Sequence, residues 1–151
     1  MRELVEETLN SLAHEIGTKE IEVSVGDLPD VLADRTAMEQ IVGNLLVNAI
    51  KYLDPSRRGK VEISGSARDG EREFAVSDNG VGIAEADLEG IFQVFQRAGD
   101  QDVPGEGMGL AYVRTLARRH GGHIWCESEP AVGSTFRFTI ATNPAGEDGR
   151  S

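Results

Sequence analysis

Apolar positions along the chain follow two periods, and the switches between them outline the elements. Leu4, Val5, Thr8, Leu9 and Leu12 recur close to every 3.6 residues and predict a helix over residues 2–14. Ile21, Val23 and Val25 alternate with polar residues, so a half-buried strand is expected there, closed by the turn-forming run Gly26-Asp27-Leu28-Pro29. A second helix follows to about Tyr52, where Asp54-Pro55 stops it; either Asp34 or Thr36 can cap its start, Thr36 by a capping box with Glu39. Val61 to Ser64 and Glu73 to Ser77 alternate again and, joined by Asp69-Gly70, read as an antiparallel hairpin. Between Gly80 and Gly109 lie seven glycines and one short helical patch near Glu85 to Ile91, a composition that reads as a mobile lid. Leu110 to His120 is helical again, with Arg118-Arg119-His120 before Gly121-Gly122 as its C-terminal signature, and two strands close the pattern at 123–128 and 134–142. Helices segregated among mostly antiparallel strands define an α+β fold, a two-layer sandwich with the helices on one face of a mixed sheet. One domain over residues 1–142 and a flexible C-terminal tail over 143–151 are expected.

Composition narrows the function classes. A length of 151 residues suits one domain with its own core. The net charge of −11 argues against a nucleic-acid partner, which needs clustered Lys and Arg. No apolar run approaches the roughly 20 residues that span a bilayer, so no membrane contact is expected. No signal peptide precedes the first helix, so secretion is not indicated. Cys126 is the only cysteine, which leaves no disulfide framework or cysteine-based metal site and fits a reducing, cytoplasmic setting. An acidic chain that binds a polyphosphate must do so locally, with backbone N–H groups, a few aimed cations and a divalent ion.

Three features carry candidate chemistry. Asn44 and Asn48 stand four apart inside a helix otherwise rich in Ile, Val, Leu and Ala; asparagine is a poor mid-helix residue, so something compensates. With Gln40 and Lys51 they make one polar stripe opposite Ile41, Leu45 and Ala49, which either faces a ligand or is simply solvated. Asp78 ends a strand just before Asn79-Gly80-Val81-Gly82, so a carboxylate is aimed from a rigid edge beside glycines that let another molecule approach the backbone; Asp78-Asn79-Gly80 is also a common turn sequence. Gly105, Gly107 and Gly109 lie just before a helix, where free N–H groups suit phosphate, yet no Gly-Lys-Ser/Thr follows and no strand precedes, which sets aside the P-loop and dinucleotide-fold readings.

Taken in order, Asn44-Leu45-Leu46-Val47-Asn48-Ala49-Ile50-Lys51-Tyr52, Asp78-Asn79-Gly80-Val81-Gly82-Ile83, Phe92-Gln93-Val94-Phe95 and Gly105-Glu106-Gly107-Met108-Gly109-Leu110 resemble the N, G1, F and G2 boxes of the ATP-binding domain shared by sensor histidine kinases, DNA gyrase, Hsp90 and MutL. The resemblance spans roughly Leu28 to Phe138 and implies this Bergerat-type sandwich. It implies ATP and Mg²⁺ as cofactors, with Asn48 as the metal ligand, Asn44 assisting, Lys51 reaching a phosphate and Tyr52 lining the pocket. By the same resemblance Asp78 accepts a hydrogen bond from the adenine amino group, and Gly80, Gly82, Ile83, Gly105, Gly107, Met108, Gly109 and Leu110 border the nucleotide. Arg97 is then a γ-phosphate contact or a solvated cation, and Phe92 and Phe95 anchor the root of the lid. Gly133-Ser134-Thr135-Phe136 resembles the last glycine box, where Thr135 is expected to help hold adenine, although Ala131 replaces a commonly seen glycine. Glu106 departs from the hydroxyl residue frequent in the family and sets a negative charge near a polyphosphate.

Gyrase-like and MutL-like relatives activate water with a Glu at the position of Asn44, and an amide is no general base near neutral pH. Met38-Glu39-Gln40-Ile41 and His120-Gly121-Gly122-His123-Ile124-Trp125-Cys126-Glu127-Ser128 resemble the histidine-kinase branch specifically. The expected activity is donation of the ATP γ-phosphoryl group to a histidine, and the acceptor is not read in this chain. His14-Glu15 resembles the start of the acceptor motif, but Ile16-Gly17-Thr18 breaks it, and the 34 positions from His14 to Asn48 are too few for a long two-helix hairpin. The implied partners are therefore the dimerisation and phosphoacceptor helices of a parent kinase and a downstream response regulator, with the isolated domain monomeric. A serine-directed kinase of the anti-sigma type, a gyrase-type ATPase and a degenerate docking module that binds nucleotide weakly or not at all are the alternatives.

Overall fold

Strand alternation sorts side chains onto two faces of one five-stranded sheet. The computed structural model describes residues 1–31, 33–88, 90–92 and 106–141, without the side chains of 106–109. Its strands are β1 (Glu22–Val25), β2 (Lys60–Arg68), β3 (Glu71–Asp78), β4 (Ile124–Glu129) and β5 (Gly133–Ala141), ordered β1-β2-β3-β5-β4. β1 pairs with β2 in parallel, Val23 opposite Val61, and every other pairing is antiparallel. Val61, Ile63, Phe74, Val76, Phe136, Phe138 and Ile140 are buried on one face, where the rings of Phe74 and Phe138 stack at 5.2 Å. On the other face Glu73 is held between Arg68 and Arg137, each 3.2 Å away, and Arg137 also reaches Glu127 at 3.0 Å. The expected mixed sheet with helices on one face is therefore present.

The helices are α1 (Arg2–Ser11), α2 (Ala13–Thr18), α3 (Arg35–Lys51), α4 (Glu85–Leu88) and α5 (Glu106–Arg119). The single helix expected over 2–14 is broken at Leu12. There the Ser11 hydroxyl donates to the Thr8 carbonyl that the Leu12 N–H would otherwise use, and that N–H turns to Leu9 instead. Asp34, not Thr36, caps α3: its Oδ1 accepts from the N–H groups of Thr36 and Ala37 at 2.8 and 3.3 Å. Glu39, free of a capping role, pairs with Arg35 at 3.0 Å. α3 buries Ile41, Leu45 and Leu46 completely and packs on β3 and α5, whose Val113 and Ala117 are equally buried. α5 starts at Glu106, one turn earlier than its apolar pattern indicates, because Gly107 and Gly109 carry no hydrophobic signal. The tail over 143–151 lies outside the described residues, as do residues 89 and 93–105 of the segment read as a lid. No helix among the described residues is long and apolar enough to cross a membrane.

Because Leu45 lies fully buried on α3, the helix that packs on both α5 and β3, Leu45→Ala is expected to cost about 2–5 kcal/mol in chemical denaturation. A loss below about 1 kcal/mol would mean that α3 is not the centre of the core.

Candidate functional site

The polar face of α3 supplies the first wall. Asn44 and Asn48 are half-buried, while Gln40 is exposed. Asn44 Nδ2 donates to the Gln40 carbonyl at 2.7 Å, which ties its amide to the helix. The Asn48 amide has no hydrogen-bond partner among the described residues, so its carbonyl oxygen is available to a ligand. The Lys51 ammonium lies 5.4 Å from the centre of the exposed Tyr52 ring. Beyond the helix, the Tyr52 carbonyl accepts the Val81 N–H at 3.0 Å, and this bond fastens the end of α3 to the loop after β3.

That loop begins at Asp78, the last residue of β3. Asp78 Oδ1 accepts the Gly80 N–H at 2.8 Å, and in the β3–β5 register Asp78 stands opposite Ser134. Burial pushes the Asp78 carboxyl above its ordinary value of 3.8, while the N–H groups of Gly80 and Ser134 pull it back down. Gly80 is required by close approach: a Cβ there would stand 2.2 Å from the Tyr52 carbonyl oxygen. Gly133 is required twice over, by φ +148 and by the Asp78 carbonyl 2.0 Å from where its Cβ would lie. Ile83 donates its N–H to Ser128 Oγ at 2.7 Å, and Ser128 donates to the Gly133 carbonyl at 3.0 Å with the Ser134 hydroxyl 2.8 Å away. The two loops are thus joined by a hydroxyl chain beside the carboxylate.

Thr135 is not brought to this place. Successive strand residues face opposite ways, and the Thr135 hydroxyl pairs with Ser77 Oγ at 2.8 Å on the outer face. Ser134, only 6% exposed, stands at the register position of Asp78 instead. Counting back by two from Phe136, a core residue, would have put Ser134 on the inner face. Cys126 is half-buried near Asp78; burial, then the charges of Asp78 and Glu127, push its thiol up to about 12, so it stays protonated and un-nucleophilic at neutral pH.

Gly107, Met108 and Gly109 lie in the first turn of α5 rather than before it, and Leu110 is buried. Gly105, Arg97 and Phe95 lie outside the described residues. Phe92 is buried edge-on to Phe136 with ring centres 6.1 Å apart, which supports its anchoring role. No cluster of three or more His, Cys, Asp or Glu suited to a metal occurs among the described residues. A cation here would take oxygen from Asn48, water and a phosphate, a donor set that suits Mg²⁺.

A two-layer sandwich with a carboxylate at a strand end, a glycine loop against it and an asparagine-bearing helix alongside defines a nucleotide-binding class of domain. Residues 33–144 match the model of the histidine kinase-, DNA gyrase B- and HSP90-like ATPase family, and the chain belongs to that family. Phytochrome-like protein Cph1 of Synechocystis is 39% identical over 141 residues, 93% of this chain and 19% of that protein. Histidine protein kinase DivJ of Caulobacter vibrioides is 38% identical over 145 residues, 92% of this chain and 24% of that protein. The chain thus spans about a fifth of the length of these curated relatives. Among solved structures, the catalytic domain of histidine kinase ThkA superimposes with a TM-score of 0.81 at 31% identity, covering 95% of both chains. Full-length ShkA in complex with AMPPNP gives 0.78 at 31% identity, covering 94% of this chain and 30% of that one. The fold is that of the ATP-binding catalytic domain of histidine kinases.

Asp78→Asn keeps the shape of the side chain and its bond to Gly80 while removing a charge that burial penalises. Because the folded carboxyl is raised, the parent loses stability as pH climbs from 3.8 through the raised value, and the variant does not. Thermal melts at pH 7 are expected to find Asp78→Asn at least as stable as the parent, with the difference vanishing as pH falls towards 3.8. A variant markedly less stable at pH 7 would mean that the carboxylate is held by a favourable charge contact.

Proposed function

We propose that this domain binds Mg²⁺-ATP and, within a longer sensor kinase, donates the γ-phosphoryl group to a histidine on a dimerisation domain outside this chain. The observation that carries the reading is the half-buried Asp78 carboxylate, held by the Gly80 N–H at a strand end opposite Ser134. One oxygen is engaged by the loop, and the carboxylate keeps acceptor capacity for the adenine amino group; guanine presents a carbonyl there and would be repelled. Ser134 takes the place expected of Thr135 beside the base. Gly80 and Gly82 border the nucleotide by letting the loop close against the Tyr52 and Glu129 backbone, and Ile83 and Tyr52 offer it apolar surface. Asn48 is the oxygen ligand offered to Mg²⁺, with Asn44 beside it on α3. Mg²⁺, when bound, neutralises charge on the phosphates of a chain that is itself acidic. Lys51, Arg97 and the backbone N–H groups from Gly105 through Leu110 complete the phosphate contacts.

In the transfer, the bond from the γ-phosphorus to the bridging oxygen breaks, a phosphorus–nitrogen bond forms at the acceptor imidazole, and ADP leaves. The domain's own share is positioning and charge neutralisation. Hydrolysis is disfavoured because Asn44 replaces the carboxylate base and spends its amide on the Gln40 carbonyl. The phosphoryl group then passes to a response regulator; histidine kinase ThkA, a structural neighbour at 29% identity, has been solved in complex with its response regulator TrrA. A cytoplasmic setting follows from this role, since ATP and response regulators reside there.

Calorimetric titration with a non-hydrolysable ATP analogue is expected to give Mg²⁺-dependent binding that GTP analogues do not match. Asn48→Ala should remove the Mg²⁺ dependence, and Asp78→Asn should weaken adenine binding about 10- to 100-fold, the loss of one charge-assisted hydrogen bond. Equal binding by parent and both variants would show that the nucleotide sits elsewhere, and no binding by folded parent would leave a docking module.

A further inference from the structure

Arg57 lies in no segment assigned to the nucleotide, yet its guanidinium holds the two loops of the site together. It stands on a stiff turn: Asp54 Oδ1 accepts both the N–H and the hydroxyl of Ser56, at 2.9 and 2.7 Å, and the Arg57 N–H closes onto the Asp54 carbonyl at 3.2 Å. From there Nε donates to the Asn79 carbonyl at 2.9 Å, and Nη2 donates to the carbonyls of Gly80 at 2.8 Å and Ala131 at 2.9 Å. Asn79 and Gly80 directly follow Asp78, and Ala131 belongs to the turn that leads into Gly133 and Ser134.

Ala131 shows why a clamp is needed. It adopts φ +69, a left-handed conformation that costs an ordinary residue about 1–2 kcal/mol. Its N–H donates to the Val81 carbonyl at 2.8 Å, and its carbonyl is the one that Arg57 binds. The turn is therefore fastened to the loop from both sides of the same strained residue. The Arg57 donors end on the backbone carbonyls of Asn79, Gly80 and Ala131, so Arg57 acts on the site through the backbone.

We propose that Arg57 is a positioning residue of the nucleotide site. Its fork fixes the Asn79–Gly80 loop against the Ala131 turn, and thereby sets the Asp78 carboxylate against Ser134 for adenine selection. The inference rests on the ATP reading above. A lysine cannot replace the fork, because an ammonium is a point donor without two arms at fixed angles.

The test compares the parent chain, Arg57→Ala, Arg57→Lys and a neighbouring control, Arg58→Ala, whose side chain donates to the Glu20 carbonyl and to nothing else among the described residues. Two quantities are read: affinity for ADP relative to GDP, and amide exchange at Gly80 and Val81 without nucleotide. Arg57→Ala is expected to bind ADP about tenfold more weakly, to lose most of the preference over GDP, and to exchange both amides faster. Arg57→Lys should behave like Arg57→Ala, and Arg58→Ala like the parent. Parental affinity, selectivity and exchange in Arg57→Ala would overturn the proposal, as would rescue by lysine, since charge alone would then suffice. Should Arg57→Ala not fold, Arg57→Lys and Arg57→Gln decide by the same criteria. If the parent binds no adenine nucleotide, the ATP reading fails by itself, and the exchange rates still decide whether Arg57 clamps the loops.

Discussion

The pairing of β3 with β5 sets Asp78 opposite Ser134, and the rest of the site depends on that register. A slip of one residue would turn Asp78 to the outer face and bring Phe74 and Val76 out of the core with it. The cost of exposing those buried residues is what holds a carboxylate of raised pKa in place. Core packing thus does the aiming, and the site draws its rigidity from a hydrophobic face that never meets the ligand.

Charge is handled in the same local manner. The chain carries −11, yet the polyphosphate site it is read to contain needs no general positive field. Gly80 donates its N–H to Asp78, and Ile83, Ser128 and Ser134 are linked through an N–H and two hydroxyls, each at hydrogen-bond distance from the next. Arg68, Glu73, Arg137 and Glu127 pair with one another on the opposite face of the sheet, away from Asp78.

Most of the fold was legible because its signals are periodic. The polar stripe of Gln40, Asn44, Asn48 and Lys51 opposite Ile41, Leu45 and Ala49 is an amphipathic helix, and burial of the apolar stripe matches it. What escaped reading depends on hydrogen bonds between residues distant in sequence or on competition within one turn. The break at Leu12 turns on whether Ser11 or a backbone N–H takes one carbonyl, a choice no apolar pattern records. The family box named Thr135, but the strand's alternation sends that hydroxyl to Ser77 and leaves Ser134 inside. Arg57 carried no signal at all, since its guanidinium binds backbone carbonyls, that of Ala131 lying 74 residues away.

The most direct test of the account is amide chemical-shift mapping of the folded domain titrated with an ATP analogue and Mg²⁺. Binding at the assigned site should move the Asn48, Gly80, Val81, Gly82 and Ser134 resonances together and leave the outer-face residues around Glu73 and Arg137 unmoved. Shifts centred on the outer face, with Gly80 and Ser134 unchanged, would contradict the claim that Asp78 marks the nucleotide site.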